Sequence, residues 1–247
     1  MIMIYEIAGL RIQIENTYSF TDNFCQEYKS EDQFSPVDLT ARVTKEEFLQ
    51  EKELSPGFSD GYIENICLYR SICLQIPQFQ RMLLHASILE YDGKGYAFLG
   101  RSGTGKSTHT KLWLKYIKNT SIVNGDKPIL EQALNQFYAY GTPWQGKEGW
   151  GEKCKAPLLG LCFLEQAKEN SIRKLSPAET ASRLFLQILI PQKEEDAIAT
   201  LDFADKLIQK VPAYLLSCNI SEEAVKTSFE ALTGQSYQSN RKEEENL

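Results

Sequence analysis

Histidine is scarce: the 247 residues contain two, His85 and His109. With the cysteines scattered, that is too few for a histidine-based zinc site. Six cysteines occur (Cys25, Cys67, Cys73, Cys154, Cys162 and Cys218), but no two have the C-x-x-C spacing and most lie among apolar neighbours. They read as buried free thiols of a reducing compartment, which excludes a disulfide scaffold and a dithiol redox pair. No apolar run approaches the roughly 20 residues that span a bilayer. No basic stretch precedes the apolar residues of the opening MIMIYEIAGL, so a signal peptide is not expected either. A cytoplasmic protein without membrane contact is the expectation. Basic excess is also missing: 27 Lys and Arg stand against 33 Asp and Glu, for a net charge of -6. A general nucleic-acid binder needs basic patches, so that class is excluded.

What is present is Gly100-Arg101-Ser102-Gly103-Thr104-Gly105-Lys106-Ser107, a full match to G-x-x-x-x-G-K-[ST]. Holding a phosphate requires many donors in a small space. Glycines at 100, 103 and 105 let the backbone turn tightly, so that successive N–H groups point at phosphate oxygens in front of a helix N-terminus. Lys106 can then reach the β- and γ-phosphates, and the Ser107 hydroxyl can ligate Mg²⁺. The context agrees. Residues 96–99 read as a strand, and 108–117 as a helix with Leu112, Trp113, Tyr116 and Ile117 at helical spacing. The expected nucleotide contacts are Gly100, Arg101, Ser102, Gly103, Thr104, Gly105, Lys106, Ser107 and Thr108.

Around this motif the pattern is α/β. Residues 1–15 read as one or two strands, 17–36 as a strand with long turns, and 37–43 as an alternating strand in an antiparallel start to a sheet. Residues 51–61 look like a loop, and 62–76 like a helix closed by Pro77. A strand over 82–91, carrying His85, should turn through Asp92-Gly93 into the strand that feeds the loop. Beyond the loop come strands at 121–123, 137–140, 158–164, 172–175 and 212–216. A helix opened by the Ser176–Glu179 capping box should run to Pro191. The next, over 194–210, should turn Ile198, Leu201, Ala204, Leu207 and Ile208 inward, and the last, capped by Ser221, should stop at Gly234. With no repeat or interior linker, residues 1–234 read as a single domain, made of N-terminal strands plus a helix (1–80) and a nucleotide-binding core (81–234). A polar, disordered tail is expected over 235–247.

The strand after the motif helix ends in Asn124-Gly125-Asp126. His85 in a strand, a turn, GRSGTGKS, a helix and then this triplet together resemble the HPr kinase/phosphorylase and ATP-dependent phosphoenolpyruvate carboxykinase families. The segments HASILEYDGKGYAFLGRSGTGKSTHTKLW, GTPWQGKEGW, CFLEQAKENSIRKLSPAE and PAYLLSCNISEEAV resemble most the short HPr-kinase-related proteins, some of them found in bacterial peptide-modification clusters. The resemblance covers about 85–225. It implies a P-loop of this type in a mixed, partly antiparallel sheet flanked by helices. It implies phosphoryl transfer from ATP with Mg²⁺ to a serine hydroxyl of a small protein or peptide. Ser107 and Asp126 would be the metal ligands, and Asp126, His85 and Lys106 the catalytic residues. In those families two adjacent acids follow the strand; here the first is Gly125. That departure leaves open whether His85 or Asp126 is the general base. It also keeps two alternatives in view, a non-catalytic ATP-binding partner of a peptide-modification system and a carboxykinase-like metabolic enzyme. A homo-oligomer is left open as well.

Of the remaining candidates, His109 and Trp144 read mainly as packing residues, Lys127 as a surface partner of Asp126, and Lys147 as a solvated loop lysine. Arg101 could face solvent or substrate. The glycine-rich stretch 141–149 reads as a shaped loop able to close over a ligand.

Overall fold

The computed structural model of the chain describes residues 1–242. Two sheets form the frame. The first pairs β1 (Ile2–Ile7) antiparallel with β2 (Leu10–Glu15), and β2 in parallel with β3 (Leu39–Ala41). The expected strand within 17–36 is instead a short helix α1 (Phe20–Phe24) and a 3₁₀ turn (Gln26–Tyr28). The Glu64 carboxylate takes both the Thr17 and Tyr18 amides, at 2.7 and 3.0 Å, which turns the backbone out of extended register. Helix α2 (Lys45–Leu54) occupies what reads as loop from residue 51 onward. It has few apolar residues, and its signature is the Thr44–Glu47 capping box. Helix α3 (Asp60–Gln75) follows. Leu68 and Ile72 of α3 share a core with Ile7, Ile12 and Ile14 of the first sheet.

The second sheet has nine strands among the described residues. Its path runs β4 (Arg81–Leu83), β8 (Ile129–Ala133), β9 (Gln136–Tyr140), β10 (Lys155–Gln166), β6 (Lys94–Leu99), β5 (Ala86–Tyr91) and β7 (Thr120–Asn124). Strand β12 (Ala213–Cys218) also pairs with β10, and β11 (Ser171–Lys174) pairs with β12. The sheet is mixed: β10 runs parallel to β6 and β12 and antiparallel to β9. One long strand serves three neighbours because β9 takes its first residues and β12 its last.

The period-two alternation of β6 sets the layers. Tyr96 and Phe98 face one side, with Trp113 of α4 (Lys106–Tyr116), Ile117 just after it, and Val225 and Phe229 of α7 (Glu222–Thr233). Ala97 and Leu99 face the other, with Leu184 of α5 (Pro177–Leu184) and Phe203, Ala204 and Leu207 of α6 (Glu194–Lys210). Each fully buried aromatic or leucine here contributes about 1.5–3 kcal/mol.

Two helices differ from their apolar patterns. Helix α5 stops at Leu184, not near Pro191, and the chain turns through Leu186 and Gln187, whose amides return to Arg183 and Leu184. In α6, Ile198 and Leu201 are exposed, while Asp196 and Thr200 are buried. The polar pair is satisfied, Asp196 by the Gln78 amide at 2.7 Å and Thr200 by the Asp196 carbonyl at 2.8 Å, and so the first turns of the helix can bury polar groups while Phe203, Ala204 and Leu207 face the core.

The end of the described chain also departs from expectation. Residues 237–240 form helix α8 (Tyr237–Asn240), and Tyr237 is buried because its ring packs on Phe229 and its hydroxyl donates to Glu222. The Asn240 carbonyl accepts the Lys118 amide. Lys242 donates its amide to the Tyr116 carbonyl and its ammonium to that of Leu114, in the last turn of α4. The rest of the expected tail, 243–247, lies outside the described residues. All six cysteines are free thiols. No helix among the described residues is long and apolar enough to cross a membrane.

His109 lies inside the α4–α7 layer, 3 % exposed. Its Nε2 accepts the Trp113 indole N–H at 3.2 Å and sits 2.9 Å from the Ser228 hydroxyl. An imidazolium would turn an N–H against that indole N–H, and burial lowers the pKa to about 3. The unfolded chain takes up this proton near pH 6.5. The stability involved is therefore fully present above that pH and is lost as pH falls toward about 3, by about 1.4 kcal/mol per unit. Urea unfolding of wild type and His109→Gln at pH 7, 6 and 5 should show the stability difference shrinking as pH falls. Parallel pH profiles would contradict the assignment.

Candidate active site

The loop 100–107 leaves the end of β6 and enters α4, in the strand–turn–helix order expected. Gly103 and Gly105 take φ of 82° and 105°, in the left-handed region. Gly105 is the residue before α4, and no side chain caps that end. The first-turn amides of the helix are thus directed outward, with the positive end of its dipole. Thr104 closes the loop from inside, its hydroxyl donating to the Arg101 carbonyl at 2.8 Å. Lys106 is buried, and its ammonium donates to the Gly100 carbonyl at 2.9 Å. Burial lowers its pKa; nearby Asp126 opposes this and nearby Lys127 adds to it.

His85 is not within a strand. The expected strand over 82–91 divides into β4 and β5, which pair with different partners, β8 and β6, and His85 sits in the break. Its amide, released from any ladder, donates to the Gln187 carbonyl at 2.8 Å. The imidazole faces the chain leaving β7, with Nε2 3.3 Å from Asp126 Oδ1. Lys127 approaches the same carboxylate at 3.9 Å. Burial raises the Asp126 pKa, but the His85 hydrogen bond and the charges of Lys127, His85 and Lys106 outweigh it and hold the carboxyl below its ordinary value.

Asn124, which the sequence does not single out as a site residue, shapes this corner. It is fully buried. Its carbonyl oxygen accepts the amides of Asp126 and Lys127 at 2.9 and 2.7 Å, and its amide donates to Thr142. That Asx turn aims Asp126 across the loop. The Ala86 amide adds a bond to the Asp126 carbonyl at 3.2 Å.

The glycine-rich stretch after β9 folds over the same corner. Gly125 donates to the Trp150 carbonyl at 2.8 Å, and Glu152 donates to that of Val123. At Gly141 an added Cβ would fall on the Glu152 carbonyl oxygen, so this close passage demands glycine. Trp144 is buried and tilts against Tyr69, 4.9 Å between centroids, which gives it the packing role. Lys111 of α4 holds the tip of the stretch, 3.5 Å from Glu148 and 4.6 Å over the Trp150 ring.

These elements enclose a cavity of about 490 Å³. Its walls include His85, Asp126 and Lys127, then Ser102, Gly103, Gly105, Lys106, Ser107 and Thr108, and from the covering stretch Gln145, Gly146, Lys147 and Glu148. His85, Lys106, Ser107 and Asp126 are thus brought together. Gly100, Arg101 and Thr104 are not on its wall. Arg101 lies on the opposite flank of the loop with Arg183, whose guanidinium pairs with Glu165. Gln145 and Glu148, which the sequence marks only as part of the shaped loop 141–149, enter the cavity because the covering stretch is tied to β7.

Chemically, the arrangement is a set of outward amides, a buried ammonium, a hydroxyl and a carboxylate–imidazole pair around a space of small-ligand size. Residues 62–227 match the family of SynChlorMet cassette protein ScmC, and the chain belongs to that family. Among solved structures it is similar to the HPr(Ser) kinase/phosphatase from Coxiella burnetii, at 15 % identity over 64 % of this chain and 94 % of that one, with a TM-score of 0.34. No curated protein matches the sequence.

Proposed function

We propose that the chain binds ATP with Mg²⁺ over the 100–107 loop and transfers the γ-phosphoryl group to a serine hydroxyl of a small protein or peptide. The observation that carries this reading is one cavity that gathers the Lys106 ammonium, the Ser107 hydroxyl and the His85–Asp126 pair at a loop of P-loop sequence. The hydroxyl and carboxylate oxygens of Ser107 and Asp126 are hard donors that suit Mg²⁺, and these two residues would hold it. Bound there, the ion supplies neutralisation of β- and γ-phosphate charge.

The chain's own residues do the rest. The loop amides and Lys106 bind and orient the phosphates. The acceptor hydroxyl loses its proton to the His85–Asp126 pair. Its oxygen forms the bond to the γ-phosphorus, the bond from that phosphorus to the β–γ bridging oxygen breaks, and the electron pair leaves on ADP. With Nε2 turned to Asp126, His85 Nδ1 is the nitrogen free to take the proton; Asp126 itself is the alternative base.

Gly125 supports a second reading, a nucleotide-binding partner that does not transfer, because the position where the related families carry their first acid has no side chain. Incubation with γ-labelled ATP, Mg²⁺ and candidate peptides separates the two. Label on serine is expected; nucleotide binding with no transfer to any acceptor would overturn the kinase reading. His85→Gln should lower kcat about 100-fold with little change in the KM for ATP, as expected for loss of proton transfer alone. A rise in KM without a fall in kcat would place His85 in binding instead.

A further inference from the structure

Residues 1–80 supply no wall to the cavity at the 100–107 loop. They do line a neighbouring groove of about 350 Å³, which runs between the N-terminal layer and the covering stretch. Gln145 and Gly146 belong to both spaces, so the covering stretch is the ridge that separates them. At Gly146 the ridge carries no side chain and lies directly on Asp126. A Cβ added there would come within 2.9 Å of the Asp126 Cβ and 3.6 Å of its Oδ2. A ligand that crosses the ridge at Gly146 therefore passes beside that carboxylate.

The far wall of the groove comes from α1 and the 3₁₀ turn after it. Phe24 stacks on Phe20 at 5.8 Å and is still 40 % exposed, so much of its ring meets solvent. Pro143, on the opposite wall, adds apolar surface. The polar groups are amides and one carboxylate. The side chains of Asn23, Gln26 and Gln145 make no hydrogen bond among the described residues, and neither does that of Glu27, the one charged residue on these walls. Lys153, 5.6 Å over the Tyr28 ring, is not on them.

Unused amides, a solvent-facing aromatic ring and a lone carboxylate match the three things an extended peptide presents: backbone hydrogen-bonding groups, apolar side chains and basic ones. We infer that this groove selects the acceptor peptide. The acceptor serine reaches over Gly146 toward the γ-phosphate, and the residues on one side of it lie extended between α1 and the covering stretch. An apolar side chain packs on Phe24, and a lysine or arginine faces Glu27. The inference rests on the kinase reading above and adds the chemistry of its acceptor: a segment with an apolar and a basic residue on the same side of the serine. It assigns α1 and the 3₁₀ turn to acceptor selection, at a distance from the residues that hold ATP.

The test is a positional-scanning set of synthetic peptides, each with one fixed serine and varied positions on both sides, assayed on the full chain with Mg²⁺ and γ-labelled ATP. Wild type should select Lys or Arg at one position by about threefold and an apolar residue at another, on the same side, by about 10-fold. Glu27→Lys should turn the basic preference into an acidic one, and Phe24→Ala should erase the apolar preference. In both variants the KM for ATP should stay within about twofold, because neither side chain reaches the phosphate cavity. Both residues are exposed, and thermal melting checks that the variants fold. If wild type labels peptides without either preference, or Glu27→Lys keeps the basic one, the groove is not the acceptor site and the kinase reading stands. ATP binding with no transfer to any peptide overturns the groove together with that reading. Altered selection accompanied by a raised KM for ATP would mean that these residues act through the covering stretch, which overturns direct contact. A wild-type dimer, seen by light scattering, that Phe24→Ala dissociates without changing selection would give the groove to a second copy of the chain instead.

Discussion

Lys106→Ala should lower kcat/KM for ATP-dependent transfer by about 10³-fold, which is about 4 kcal/mol of transition-state stabilisation. The expectation follows from where the ammonium sits. Lys106 is 8 % exposed, yet it lines the charged cavity, and its ammonium donates to the Gly100 carbonyl. A buried cation with donors to spare at a loop of outward amides is placed to meet phosphate charge, in surroundings where such an interaction is stronger than in water. The same geometry limits the effect on folding. Losing one bond to a loop carbonyl costs about 1 kcal/mol, and removing a desolvated charge offsets part of it. A melting temperature near that of wild type should therefore accompany the lost turnover. Lys106→Arg should not rescue, because a planar fork cannot occupy the point-charge position under Gly100. Unchanged ATP affinity and turnover in a folded Lys106→Ala protein would remove the site assignment altogether.

Gly125→Asp should fail to create or raise transfer and should destabilise the protein by about 1–3 kcal/mol. At first sight this substitution restores an acid pair. The structure shows why the space is taken. A Cβ on Gly125 would meet the Gln145 carbonyl oxygen at 3.0 Å and that of Trp150 at 3.1 Å. Both belong to the covering stretch, which Gly125 itself anchors through its amide. A carboxylate there would face two carbonyl oxygens, so crowding and charge act in the same direction. Urea unfolding of Gly125→Ala and Gly125→Asp separates the two contributions: alanine should show the steric part and aspartate more. Limited proteolysis within 142–151 should accelerate in both. Wild-type stability together with faster transfer in Gly125→Asp would show that the covering stretch yields easily and that an acid was simply missing.

The turn at 100–105 and the start of α4 were legible because their requirements are local: three glycines, a lysine and a serine in eight consecutive residues dictate turn, helix start and charge. Asp126 and His85 were legible as residues through family resemblance, but their approach to each other was not. It depends on the strand break at His85 and on the Asn124 side chain that turns the backbone after β7, and neither leaves a periodic signal. At the start of α6 the inward face was misread, with Ile198 and Leu201 exposed, for a related reason: a buried Asp196 bonded to Gln78, more than a hundred residues earlier, looks like surface in sequence. Helix α2 was hidden because it needs little burial. Gln145 and Glu148 fall within the stretch 141–149 that reads as a closing loop, but which of its side chains enter the cavity depends on the bonds that tie it to β7.

The clasp at the end of the described chain sets an order of assembly. Helix α4 receives donors for its last-turn carbonyls from Lys242, whose partners Leu114 and Tyr116 lie more than a hundred positions earlier. Its inner face packs on α7, which also forms late. A chain emerging from the ribosome N-terminus first therefore holds the helix behind the 100–107 loop half-covered until residues 222–242 have emerged. Contacts this distant in sequence close slowly. The first sheet pairs its strands within residues 2–41, but its core with α3 also takes in Leu83, Ile129 and Trp144, so it closes only once the middle of the chain is made. A synthesis stalled between the two stages would yield a paired N-terminal sheet and a 100–107 loop whose following helix lacks its α7 cover.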